Sequence, residues 1–388
     1  LILTVHSPPF PLSFTPQVKA SVKSLNEDFP EGIPQCGSDA LRFGLLAYTV
    51  QGNDVNLDIK RVVGYRQFCN KIWNAIKFAL TYVNDFEPFP GMVKEVVAVG
   101  SAAGVRDRSI LSKLNTLIAL VDEKMTAYVF GDVVNALYSW FMNDFCDVYL
   151  ELVKPVVIDD SEANAPSKRC VKITLYHCLE TFLRLIHPMM PFVSEELWQR
   201  LPNRESLTKT PSIMIASYPE PDAILENNAA EADVGLIMEA VRSARHTRVE
   251  YKVPVKATPT FYYSATGSAM DTMPRMASDF ETLVKCAKGT FSVAPSPVPD
   301  SCCVVIVNDR VTLYMDMAGS IDKEQEIARL SKEKARLEPK VDEYERKARD
   351  PEYEIKVPEK VRELNAQKLK QFKTELDGVL QALEKLSA

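Results

Sequence analysis

The chain has 388 residues, 46% hydrophobic and 25% charged, with a formal net charge of −6. That length accommodates two or three domains, each with its own core, and the composition is that of an ordinary globular protein. The mild acidity argues against a general nucleic-acid-coating protein but leaves room for a local basic face, and no apolar run reaches the ~18 residues needed to span a bilayer.

Residues 1–36 are rich in proline and read as an irregular linker or an anomalous start; the chain opens on Leu1 and not on methionine, which leaves room for a longer parent protein. With no basic stretch ahead of LILTVHSPPFPLSFTP, a signal peptide is not expected. A helical region is predicted over 37–250. It starts with Ser38 as N-cap and Asp39 in the first turn of SDALRFGLLAYT, and a polar loop QGNDVN follows. A helix from about Leu57 to Tyr82 comes next, then segments near 107–128, 130–154, 166–187 and 194–202, the last capped by Ser194, and a helix from about Asn227 to Glu250. Short connections between long helices predict an antiparallel bundle.

The pattern changes near Val253. TPTFYYSA, GTFSVAP, CCVVIV and VTLYMDM read as strands, MPRMASDFETLVKCAK as one helix among them, and Asn308-Asp309 as a tight turn, giving a small α+β unit over 251–319. From 320 to 388 the charge density rises. Ile327, Leu330, Leu337, Val341 and Tyr344, then Leu369, Phe372, Leu376, Val379 and Leu383, keep 3-4 spacing on either side of DPEYEIKVP. This predicts an antiparallel coiled-coil hairpin, each helix stabilised by the other. The expected fold is therefore mainly α: a helical bundle, an α+β junction unit and a terminal hairpin.

No catalytic constellation is present. The chain lacks GxGxxG, a phosphate loop, HExxH and GxSxG, its four histidines are scattered, and its eight cysteines show no CxxC spacing, so neither a metal site nor a disulfide framework is expected. Buried free thiols in a reducing, cytoplasmic setting fit best. The feature that stands out is FCNKIWNAIKFAL, residues 68–80. Its helix carries Lys60, Arg61, Arg66, Lys71 and Lys77 against the single acid Asp58, interleaved with Tyr65, Phe68, Trp73 and Phe78. Single-stranded RNA is recognised by such mixtures: bases stack on rings, amides and lysines read base edges, and cations hold phosphates. Composition alone equally allows a packing helix with solvated lysines.

At these residues the sequence resembles a known family. GSDALRFGLLAYTVQGNDVNLDIKRVVGYRQFCNKIWNAIKFAL, WFMNDFCDVYLELVKP, LIHPMMPFVSEELWQRLP and SIMIASYPEP are similar to the region that follows the catalytic domain in class I valine–tRNA ligases, the eukaryotic cytosolic form most of all; YEIKVPEKV and the leucine-spaced helix resemble their C-terminal coiled coil. The resemblance implies an anticodon-binding helical bundle, a junction unit and an arm reaching the outer corner of tRNA. It places Lys71 and Phe78 toward the anticodon loop, with Lys60 or Arg61 adding a cationic contact and Arg66, Asn70 and Asn74 as further candidates; Trp73 is assigned to either RNA or core. Arg242, Arg245 and Arg248, at 3-residue spacing, form a candidate phosphate track, joined in the arm by Lys332, Lys334 and Arg336.

The ATP-binding signatures HIGH and KMSKS and the proofreading domain are absent, and RDRSILSKLN lacks the tryptophan usual in the family. The resemblance thus implies a tRNA-binding portion that has no catalytic residue or metal of its own. The intact enzyme would bind ATP, Mg2+ and valine elsewhere. Neither DNA nor membrane is an expected partner, whereas the coiled coil leaves a protein partner possible. A non-catalytic RNA-binding scaffold, or the matching part of an isoleucine– or leucine–tRNA ligase, remains open.

Overall fold

A computed structural model describes residues 22–24, 26–27, 29–30, 32–49, 58–98, 104–251, 253–254, 257–287, 289–299, 301–316, 323–349, 353 and 359–387. Most of the expected N-terminal linker, the QGNDVN loop and nearly all of the DPEYEIKVP turn lie outside the described residues. The chain divides into two compact units, Leu1–Glu226 and Asn227–Ala388.

The first unit is helical. Helix α1 (Ser38–Ala47) packs on α2 (Ile59–Val83), and Gly44 permits the close approach: a Cβ there would meet Tyr65 Cδ2 at 3.3 Å and Val62 Cγ2 at 3.4 Å. Ser38 is the first helical residue and not the N-cap expected; Gly37 occupies the cap at φ 84° with no capping side chain. After α3 (Met92–Ala98), a short helix that the sequence reading does not contain, come α4 (Val105–Thr126) and α5 (Phe130–Ser139). The chain then runs through a π-helical stretch, Trp140–Tyr149, into α6 (Leu150–Ile158). The helix passes through Pro155, where its end was expected, because Val153 and Val157 on its inner face are buried.

The π-helical turns direct Trp140, Phe141, Phe145 and Tyr149 inward. Phe141 stacks on Phe182 of α7 (Ala165–Ile186) at 4.4 Å between centroids, and the buried Tyr149 hydroxyl donates to Asp107 Oδ1 of α4 at 2.7 Å. Helix α8 (Pro191–Gln199) starts at Pro191, three residues before the predicted Ser194 cap. Ser194 is buried inside it and donates to the Met190 carbonyl at 2.7 Å. The cap comes instead from α1, where the Asp39 carboxylate accepts the Val193 N–H at 2.8 Å.

The second unit begins with α9 (Asn228–Glu250), capped by Asn227 through the Ala230 N–H at 2.9 Å. This helix, expected as the last of the bundle, packs instead within the second unit. There β1 (Phe261–Ala265), α10 (Ala269–Arg275), α11 (Ala277–Val284), β2 (Phe291–Val293), β3 (Cys302–Ile306) and β4 (Val311–Asp316) form a sheet ordered β2-β1-β4-β3 with two helices in the β1–β2 crossover. The crossover makes β1 and β2 parallel, while β4 runs antiparallel to both β1 and β3. Asn308 closes the β3–β4 hairpin through its side-chain oxygen, which accepts the N–H groups of Arg310 and Val311 at 2.9 and 3.0 Å.

The last two helices, α12 (Lys323–Arg349) and α13 (Glu359–Ser387), lie antiparallel. Tyr344 faces Phe372 at 5.7 Å, Glu345 pairs with Lys373 at 2.7 Å, and Asn365 donates to the Tyr353 hydroxyl at 2.7 Å. Leu330, Leu337 and Val379 are the buried seam.

Candidate nucleic-acid interface

Helix α2 starts where it does because Asp58 caps it, accepting the Lys60 N–H at 2.8 Å. Val62, Tyr65, Phe68, Ile72, Ile76, Ala79 and Val83, spaced three and four apart, form its buried face. Phe68 lies 4.7 Å from Tyr138 and 5.5 Å from Phe43, so two of the aromatics that suggested base stacking belong to the core.

The opposite face is exposed. Lys60, Arg61, Arg66, Gln67, Asn70, Lys71, Asn74 and Lys77 all point outward, and between Ile59 and Val83 there are five cations and no acid. At ~100° per residue, Lys60, Gln67, Lys71, Asn74 and Phe78 form one stripe about 27 Å long. Lys60 and Arg61 sit in the first turn, where the helix dipole disfavours positive charge by roughly 0.3–1 kcal/mol each. Arg61 also covers the Tyr48 ring, whereas Lys60 has no such use in the fold.

The candidates differ in what already holds them. Lys71 projects from the helix near Cys146, whose thiol burial raises to about 12 while the ammonium acts in the opposite sense. Arg61 lies over the Tyr48 ring at 4.6 Å, and its pKa is raised chiefly by hydrogen bonding to Tyr65. Arg66 donates to the Gln35 carbonyl, and Asn70 approaches Gln67 Oε1 at 3.5 Å. Phe78 is half-buried: Tyr82 meets it edge-on at 5.1 Å and the Lys154 ammonium lies 5.2 Å from the ring centroid. Trp73 is also half-buried, and the Arg200 guanidinium covers it at 5.4 Å. Lys154 and Arg200 were not among the sequence candidates. They come from α6 and the end of α8, and only the fold carries them to α2.

In the second unit the arginine triplet has one spacing and three environments. Arg245 donates to the Leu283 carbonyl at 2.7 and 3.1 Å, and Arg248 to the carbonyls of Val284 at 2.5 Å and Ala257 at 2.9 Å, so both tie α9 to the end of α11. Arg242 is exposed at the rim of a cleft of about 860 Å³, together with His246 and Lys332 and above Val304, Ile306, Leu337 and Val379. Arg336 is held by Glu333, and Lys334 lies 3.7 Å from Glu338. Among the described residues no group of three or more His, Cys, Asp and Glu is placed to hold a metal ion, and no helix is long and apolar enough to cross a membrane. All eight cysteines are free thiols, buried or half-buried.

Residues 107–262 match the family described as the anticodon-binding domain of tRNA ligase. The chain is 39% identical over 373 residues to the valine–tRNA ligase of Takifugu rubripes and 35% over 370 residues to that of Homo sapiens, each alignment covering 95% of the chain. It is 33% identical over 363 residues, 92% of the chain, to the valine–tRNA ligase of Legionella pneumophila. Nearly the whole chain is thus similar to part of a valine–tRNA ligase. It spans 30%, 28% and 38% of the length of these three relatives.

For a valine–tRNA ligase relative, the position of α2 is informative. The anticodon-binding match starts at residue 107, inside α4, so α2 precedes it. What distinguishes α2 is therefore its own exposed basic face. Within the matched segment, α7 supplies the buried centre, with Leu175, Tyr176, Phe182 and Leu183 each fully buried. The Tyr149–Asp107 bond and the hydrogen bond from the Asp222 N–H to Asn115 Oδ1, 2.7 Å, tie α4 to the rest of the first unit. Together with Ser109 and Ser112, Asp107 and Asn115 give α4 a polar buried side where the sequence lacks the expected tryptophan.

Proposed function

We propose that this chain is the tRNA-holding part of a valine–tRNA ligase, and that the outer face of α2 receives the anticodon loop. One observation carries the reading: five cations and three side-chain amides share the exposed surface of a helix without acids, in a chain whose net charge is −6. Lys60 at the helix start, where the dipole opposes its charge, fits an external polyanion. Lys71 and Lys60 approach phosphates or base edges, Arg61, Arg66, Asn70 and Asn74 flank them, and Phe78 offers the part of its ring that Tyr82 and Lys154 leave open. In the second unit Arg242 and Lys332 are the phosphate contacts best placed, because Arg245, Arg248, Lys334 and Arg336 already have partners within the unit.

This part supplies position. Chemistry on ATP and valine, with Mg2+, belongs to other parts of such an enzyme, and a cytoplasmic location follows from the same reading. The purified chain is expected to bind a valine-accepting tRNA, in preference to isoleucine- or leucine-accepting tRNA, and not to charge it. Affinity should fall linearly with salt on a log–log scale as phosphate contacts release counterions. Lys71→Ala should weaken binding by about 1–3 kcal/mol, the order of one base contact. Absence of tRNA binding, or binding unaffected by Lys71→Ala, overturns the reading; charging of tRNA by the chain alone overturns the division of labour.

A further inference from the structure

Arg200 is held more firmly than an exposed arginine at a helix end needs to be. It is the C-cap of α8, its N–H bonded to the Leu197 carbonyl at 3.1 Å, and the next residue, Leu201, is buried. Asn203 then fixes the turn, donating to the Phe86 carbonyl at 2.9 Å just beyond the end of α2. Glu196 holds one edge of the guanidinium through Nε at 2.9 Å and through Nη2, and the guanidinium carbon lies over the Trp73 ring, 5.4 Å from its centroid.

The Arg200 side chain is still 56% exposed. On α2 the neighbours of Trp73 at i−3 and i+4 are Asn70 and Lys77, both exposed, so this platform is continuous with the basic surface. A guanidinium over an indole gains a cation–π attraction and can stack a base as well, a use of arginine that lysine cannot reproduce.

We propose that Trp73 and Arg200 form a stacking shelf for one unstacked nucleobase of the bound tRNA, with Asn70 and Lys77 beside it to meet the base edge and its phosphate. This rests on the reading of the chain as tRNA-binding. Trp73 is then neither a plain core residue nor a direct stacking ring: it is the support on which the guanidinium rests.

The test uses the full 388-residue chain and a transcribed valine-accepting tRNA. Arg200→Lys keeps the charge and removes the plane; it should weaken binding roughly ten-fold, the order of one stacked base, and leave the salt slope unchanged. Trp140 and Trp198 are buried at 4% and 0% exposure, so a tRNA-induced change in tryptophan emission reports Trp73; it should be seen in the wild type and be lost in Arg200→Lys and in Trp73→Phe. Wild-type affinity in Arg200→Lys, or emission that tRNA does not alter, overturns the shelf. If Lys71→Ala still weakens binding in that case, only the shelf fails. If the wild-type chain binds no tRNA, the broader reading fails with it.

Discussion

Asp39 and Val193 lie 154 positions apart in sequence, yet the Asp39 carboxylate accepts the Val193 N–H at 2.8 Å and approaches the Phe192 N–H at 3.4 Å. A residue in the first turn of α1 thereby caps α8, satisfying donors that have no partner inside their own helix. Its other contact, Arg42 at 3.1 Å, keeps the carboxylate in place.

Replacing Asp39 with alanine should lower the unfolding free energy by about 1–2 kcal/mol, the usual cost of losing a cap with charge-assisted bonds. Urea denaturation measures it. A midpoint equal to that of the wild type would mean that water satisfies the α8 donors equally well.

Phe78 separates packing from recognition. Leucine there retains most of the contact with the core and should hold stability within about 1 kcal/mol, whereas alanine should cost roughly 2 kcal/mol. Both should bind tRNA more weakly than the wild type, because both lack the ring. Thermal melts with parallel binding titrations decide it, and wild-type affinity in Phe78→Leu would return the ring to packing alone.

Gly378 sets how closely α13 approaches the sheet. A Cβ there would meet Ile306 Cδ1 at 2.7 Å. A methyl group can be accommodated if the end of Ile306 rotates, but Gly378→Leu cannot fit and should cost on the order of 1–3 kcal/mol of α13 packing. Hydrogen exchange of the α13 amides is expected to speed up while the β1–β4 ladder stays protected. Unchanged exchange in α13 would show that the helix is not seated on β3.

His177 gives the fold an acid limit. Burial, with Arg184 adding to it, lowers its pKa from 6.5 to about 4, and its Nε2 has no hydrogen-bond partner. The folded state therefore resists a proton that the unfolded chain accepts below about pH 6.5. Stability should be independent of this group above that pH and decline as pH falls toward 4, by up to about 3 kcal/mol. His187, also lowered by burial, acts in the same direction. His177→Gln should flatten the decline in urea midpoints between pH 6.5 and 4; an unchanged slope would place the acid sensitivity in other groups.

Much of the architecture was legible because it follows from periodicity. The apolar spacing in α2, α4, α7 and α9, the alternation in β1 and β4 and the leucine seam of α12 and α13 are local signals with one physical meaning each. Ser38 and Ser194 misled because both are good capping residues by type, while the true cap of α8 comes from another helix. The π-helical turns at Trp140–Tyr149 leave no comparable local signal, since inward placement of four aromatics is decided by what they pack against.

The candidate interface shows the same division residue by residue. That α2 is basic on one side and apolar on the other is legible in its residues, since charge and 3.6-residue spacing are carried by the chain. Which charges remain available depends on how the helices pack. Arg245 and Arg248 turn inward to carbonyls at the end of α11 and Arg242 does not, although nothing in their spacing distinguishes them. The packing also brings Arg200 over Trp73 and Lys154 over Phe78 from helices far along the chain. A side chain's partners are set by whatever the fold places within a few ångströms of it, and that distance is not written in sequence separation.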